Sequence, residues 1–86
     1  MTTTILVVED EPAILELISI NLKHAGFLVE RTGSAEEAEV AIRSALPDLL
    51  VLDWMLPGQS GVGLAKKLRA DERTRELPII MLTARV

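Results

Sequence analysis

The stretch that decides the fold is Leu49-Leu50-Val51-Leu52-Asp53-Trp54-Met55-Leu56-Pro57-Gly58, an unbroken apolar run closed by one carboxylate and followed by a Pro-Gly turn. Four aliphatic residues with no polar alternation read as a strand buried on both faces of a parallel sheet. Asp53 then falls at the carboxyl end of that strand, which is where ligands gather in open parallel sheets. Acids at such positions also cap turns, and the stretch alone leaves both roles open.

Working outward, Thr4-Ile5-Leu6-Val7-Val8 is β-branched and apolar and reads as a buried first strand. Glu9-Asp10-Glu11-Pro12 ends it and opens a helix, with proline suited to the first turn and acids to the positive end of the dipole. Ile14, Leu17, Ile18 and Leu22 supply an inner stripe, His24 falls in the last turn as a dipole-compatible surface residue, and Gly26 suits the position just past the end. Phe27 to Arg31 reads as a short strand at a sheet edge. Ser34-Ala35-Glu36-Glu37 matches a capping box and starts a second helix whose inner positions are Ala38, Ala41, Ile42 and Ala45. Ser60 suits the N-cap of a third helix with Val62, Ala65 and Leu68 inward. Asp71 to Glu76 reads as a solvated charged loop, and Leu77 to Thr83 as a fourth buried strand with Pro78 near its start. Strands alternating with helices of this length predict right-handed crossovers and an α/β fold with a parallel sheet.

Composition narrows the function. At 86 residues the chain makes one small domain, and with 49 % hydrophobic and 26 % charged residues it is globular. A net charge of −4 and the absence of a basic stripe argue against direct nucleic-acid binding. Zero cysteines exclude disulfides and thiolate metal sites. No apolar run approaches the ~20 residues that span a bilayer and no signal peptide is visible, so no membrane role is expected and a cytoplasmic protein is the default. Phosphate-binding glycine loops and Ser-His-Asp or Cys-His arrangements are missing.

In a parallel sheet the carboxyl ends of strands one, three and four share one rim, which receives Glu9 and Asp10, then Asp53, then Thr83. Three converging carboxylates repel one another unless a cation intervenes. Mg²⁺ is the natural cofactor for such a set, because it prefers hard oxygens and shares its shell with phosphate and water. Phosphoryl transfer uses these parts: a carboxylate nucleophile, a metal to neutralise charge, and a hydroxyl for a phosphoryl oxygen. Each residue has a plainer reading, Glu9 and Asp10 as helix-start acids and Thr83 as a strand residue without a role. Their meeting on one rim favours function.

Ile5 to Glu11, Leu52 to Gly61 and Pro78 to Arg85 together resemble the receiver domain of two-component response regulators, of the OmpR/PhoB class. The resemblance implies a flavodoxin-like (CheY-like) three-layer αβα fold and a phospho-accepting, non-enzymatic signalling module. It implies Asp53 as phosphoacceptor, Glu9 and Asp10 as the acidic Mg²⁺ pair, and Met55 as a ligand through its backbone carbonyl. Thr83 becomes the switch hydroxyl, Ala84 the small residue beside it, and Trp54 a reporter next to the site. A sensor histidine kinase is the implied phosphodonor, with transcriptional control as the output of the intact protein.

The family domain has five strands and five helices in sheet order 2-1-3-4-5, whereas residues 1–86 read as a receiver domain truncated after the fourth strand. The fourth helix, the fifth strand, a phosphoryl-contacting lysine and the last helix are not in this sequence, and Lys66 and Lys67, on a helix surface, do not replace that lysine. An apolar fourth strand at a sheet edge is an association hazard. The expectation is a homo-oligomer or a strand-exchanged dimer.

Overall fold

The computed structural model describes residues 2–82. In chain order the elements are β1 (Thr4–Val8), α1 (Pro12–His24), β2 (Leu28–Thr32), α2 (Ala35–Ser44), β3 (Leu49–Asp53), α3 (Gly61–Ala70) and β4 (Ile79–Leu82). All strand pairings are parallel, in the order β2-β1-β3-β4. This is the flavodoxin-like arrangement, with the chain progressing in opposite directions on either side of the β1–β3 pair.

Why β1 and β3 are apolar throughout follows from the two layers they separate. Leu6, Val8, Leu50 and Leu52 face α2 and α3, packing with Ala35, Ala38, Ile42, Leu64 and Leu68. Ile5, Val7 and Val51 face the other way, against Leu15, Ile18 and Leu22 of α1. Alanines at positions 35 and 38, both fully buried, bring α2 close to the sheet. Capping follows the sequence: Glu37 N donates to Ser34 Oγ at 3.1 Å, and Gly63 N to Ser60 Oγ at 3.0 Å. Gly26 follows the α1 C-cap residue Ala25 with φ of 98°, a conformation that costs a residue bearing a Cβ about 1–2 kcal/mol.

Several boundaries and stripes differ from expectation. On α1 the inner stripe is Leu15, Ile18 and Leu22, while Leu17 is 62 % exposed. Leu17 satisfies the same helical spacing, but only the angle at which α1 docks selects between neighbouring stripes. On α3 Leu68 is buried as expected and Leu64 is buried as well, whereas Val62 is half-buried and Ala65 packs at the core margin. Ala45 is exposed at the C-cap of α2 rather than inward. β2 runs one residue further than expected, because Thr32 is buried and its hydroxyl donates to Val7 O at 3.1 Å. The charged segment 71–76 is not simply solvated: Thr74 is buried and its hydroxyl donates to Leu68 O at 2.6 Å, closing the C-terminal end of α3. Leu77 enters the core ahead of β4, which begins at Ile79, and Thr83 lies outside the described residues.

One helix covers one face of four strands, so cover is uneven. Ile80 pairs with Val51 on the α1 face, yet is half exposed because α1 packs over β1 and β2. Within α1, Ser19 is buried and its hydroxyl has no hydrogen-bond partner among the described residues. A desolvated, unsatisfied hydroxyl is destabilising, and alanine is the better helix former. Ser19→Ala is expected to stabilise the chain by about 1 kcal/mol in urea or thermal unfolding; a variant no more stable than the parent contradicts this account of the α1 interface.

Candidate metal centre and phosphoacceptor site

The site lies where β1 and β3 end side by side, at the point where strand order reverses. Register carries Val8 against Leu52, so the residues that follow, Glu9 and Asp10 on one strand and Asp53 on the other, emerge at the same level. Carboxylate oxygens of Glu9, Asp10 and Asp53 all lie within 4.8 Å of one another. The structure thus brings together three of the acids singled out in the sequence, from two segments more than forty residues apart.

Each is held by its neighbours. Glu9 N donates to Thr32 O at 3.1 Å, which ties the end of β1 to the end of β2. Glu9 Oε2 accepts from Glu11 N at 2.9 Å, turning the chain into α1. Asp53 Oδ1 accepts from Met55 N at 3.0 Å, and Trp54 N donates to Leu82 O at 2.9 Å, fixing the segment after β3 against β4. Glu9 and Asp53 are each only 2 % exposed. Met55 is therefore at the site through its backbone, while its side chain is exposed. Beside the acids opens a cleft of about 620 Å³ lined by Asp10, Trp54, Met55, Leu56, Pro57 and Ser60. Trp54 is half exposed on its wall.

Burial pushes the Glu9 carboxyl above the ordinary glutamate range, and the Asp53 charge and hydrogen bonds to Asp10 and Asp53 push the same way. The Glu11 N–H opposes them by stabilising the ionised form. The arrangement concentrates negative charge where little water can screen it, which is the electrostatic condition for a hard divalent cation. Lys67 is engaged elsewhere, 3.4 Å from Glu39 between α3 and α2.

Two supports of the site have no signal in the apolar pattern. Thr32 reads as the residue after a strand, and its role depends on which strand lies beside β1. Gly61 reads as the first helical residue after the Ser60 N-cap; its importance comes from the backbone it approaches.

The sequence profile of the response regulator receiver domain family matches residues 5–86. The chain belongs to this family. It is 52 % identical over 85 residues to the phosphate regulon transcriptional regulatory protein PhoB of Rhizobium meliloti, covering 99 % of this chain and 37 % of that protein. The chain therefore spans little more than a third of the length of that curated relative. Among solved structures, a putative response regulator from Chloroflexus aurantiacus superposes with a TM-score of 0.92 at 40 % identity, covering 94 % of this chain and 66 % of that one. Response regulator protein TrrA from Thermotoga maritima, in complex with Mg(2+)-BeF, superposes with a TM-score of 0.91 at 37 % identity, covering 98 % and 71 %. The resemblance to OmpR/PhoB-class receivers is thereby borne out, as is the flavodoxin-like fold. No helix among the described residues is long and apolar enough to cross a membrane.

The raised Glu9 pKa carries a sign. Its stabilising contribution is fully present below the ordinary glutamate value of 4.5 and is lost as pH rises through the raised value. In metal-free buffer, Glu9→Gln is expected to raise the unfolding midpoint at neutral pH and to flatten the decline between acid and neutral pH. Melting curves of parent and variant across that range read it, and parallel pH profiles would contradict the assignment.

Proposed function

We propose that this chain is the phospho-accepting receiver module of a two-component response regulator, with Asp53 as phosphoacceptor. Glu9, Asp10, Asp53 and the Met55 backbone carbonyl hold one Mg²⁺. The observation that carries the reading is the meeting of three carboxylates, within 4.8 Å, at the β1–β3 rim of a chain belonging to the receiver family. The donor set fits this ion: the side-chain donors are hard oxygens, gathered where burial raises the Glu9 pKa and the Asp53 charge adds to the rise. Support also comes from TrrA, a structural relative whose complex contains Mg²⁺ and a beryllofluoride group.

When bound, Mg²⁺ supplies positive charge to the acids and to the oxygens of a transferring phosphoryl group. The chain's own residues do the rest. The Met55 N–H orients the Asp53 carboxylate through Oδ1, and the cleft beside Asp10 and Trp54 admits the donor. A carboxylate oxygen of Asp53 attacks the phosphorus of a phosphohistidine or a small acyl phosphate. A P–O bond to Asp53 forms, the donor's P–N or P–O bond breaks, and its electron pair leaves with the imidazole or carboxylate. Thr83, as the switch hydroxyl, donates a hydrogen bond to a phosphoryl oxygen. The module is cytoplasmic, a sensor histidine kinase is its donor, and residues 1–86 act as one receiver module whose output in a longer protein is transcriptional control. The module is a signalling acceptor rather than an enzyme, and with a net charge of −4 it does not itself bind DNA.

The test follows Trp54 emission during Mg²⁺ titration, then adds a small acyl phosphate and weighs the protein. Saturable quenching and a mass gain of one phosphoryl group are expected, and Asp53→Asn is expected to lose the mass gain while staying folded. A parent chain that is folded by circular dichroism yet responds to neither reagent overturns the reading.

A second proposal concerns association. β4 is the outer strand of the described sheet, with Ile80 50 % and Met81 41 % exposed, one on each face. An apolar edge of this kind invites strand pairing, and we propose that the 86-residue chain pairs with a second copy through β4. Light scattering at micromolar concentration is expected to show dimers that dissociate in Ile80→Lys; a monomeric parent refutes it.

A further inference from the structure

Gly61, the first residue of α3, is packed against the peptide that joins Asp53 to Trp54. A Cβ built at Gly61 would lie 3.0 Å from the Asp53 carbonyl carbon, 3.1 Å from Trp54 Cα, and far inside van der Waals contact with the Asp53 carbonyl oxygen. Carbon–oxygen contacts settle at about 3.3 Å or more. The crowded atoms are backbone, so no side-chain rotation relieves them. Gly61 N also donates to Trp54 O at 3.2 Å, so the contact is an attachment as well as a near approach.

Neither partner has room to retreat. α3 is anchored by Leu64 and Leu68 in the core, and the end of β3 is anchored by the Trp54 N to Leu82 O bond. A displacement forced at Gly61 therefore reaches the segment between them, which carries the Asp53 carboxylate and the Met55 N–H bonded to it. We infer that Gly61 is a positioning residue for Asp53: the bare first turn of α3 sets where the Asp53 carboxylate stands relative to Glu9 and Asp10. This inference rests on the proposed metal-binding reading for its functional consequence, and on geometry alone for the positioning.

Two cations separate positioning from general weakening. Mg²⁺ demands near-ideal octahedral ligands at about 2.0–2.1 Å, whereas Ca²⁺ accepts flexible shells at about 2.3–2.6 Å. Gly61→Ala is expected to lower Mg²⁺ affinity at least tenfold and Ca²⁺ affinity distinctly less, both read by Trp54 emission. Leu64→Ala weakens the α3 anchor from inside the core without touching the Asp53–Trp54 peptide, and is expected to keep the parent Mg²⁺/Ca²⁺ ratio. In metal-free protein, the Met55 amide resonance is expected to shift in Gly61→Ala and to stay in place in Leu64→Ala. A folded Gly61→Ala with parental Mg²⁺ affinity and an unmoved Met55 amide overturns the inference, and so does a loss of both cations in equal measure. Should Gly61→Ala fail to fold, Ser60→Ala adds no bulk and removes the cap on the first turn of α3, at the edge of the cleft. A two- to fivefold loss of Mg²⁺ affinity with the fold intact is then expected, and an unchanged affinity refutes the coupling. A parent chain that binds neither cation would end the metal reading, while the metal-free amide shift would still decide the positioning.

Discussion

The parallel pairing of β1 with β3 is the constraint on which the rest of the structure depends. Both strands are buried on both faces, so their register is fixed by two packed layers at once, and a one-residue slip would turn Leu50 and Leu52 toward α1. That register also decides where the acids stand. Since Val8 lies beside Leu52, the chain delivers Glu9, Asp10 and Asp53 to one level just as the apolar run ends. Hydrophobic burial thus holds together carboxylates that would otherwise separate, and that burial first, with the Asp53 charge adding to it, raises the Glu9 pKa.

The site is braced from three directions, each through a main-chain hydrogen bond. β2 reaches it through Thr32, whose carbonyl accepts from Glu9 N and whose hydroxyl bonds Val7 O. β4 reaches it through Leu82, and α3 through Gly61. Backbone contacts of this sort leave little latitude, which suits a centre that must present oxygens at fixed distances. Beyond the brace, the side chains of Trp54, Met55 and Pro57 form an exposed wall.

Much of this was legible in the sequence, for identifiable reasons. Continuous aliphatic runs at Ile5–Val8 and Leu49–Leu52 signal strands covered on both sides, and Ser34 and Ser60 mark helix starts by a local hydrogen bond that needs no tertiary context. The order of elements then places Glu9, Asp10 and Asp53 on a shared rim. What escaped depends on docking angles and approach distances. Leu15 and Leu17 obey the same periodicity, and only the seating of α1 on the sheet distinguishes them. Thr74 sits in a run of charges and is buried only because its hydroxyl closes α3. Gly61 differs from Gly63 in what lies opposite: one faces a peptide, the other a side-chain hydroxyl, that of Ser60.

The register between β1 and β3 has a further consequence, in folding. Ile5 pairs with Leu49 across the whole α1–β2–α2 segment, so the central pairing closes a long loop before it returns any contact. Contacts so distant in sequence form slowly and belong to the cooperative whole rather than to a local piece. Glu9 and Asp10 are adjacent along the chain, but Asp53 joins them only once that loop has closed. Any ligand that needs all of them together recognises the completed topology alone, and by mass action it pulls the entire chain toward the native state.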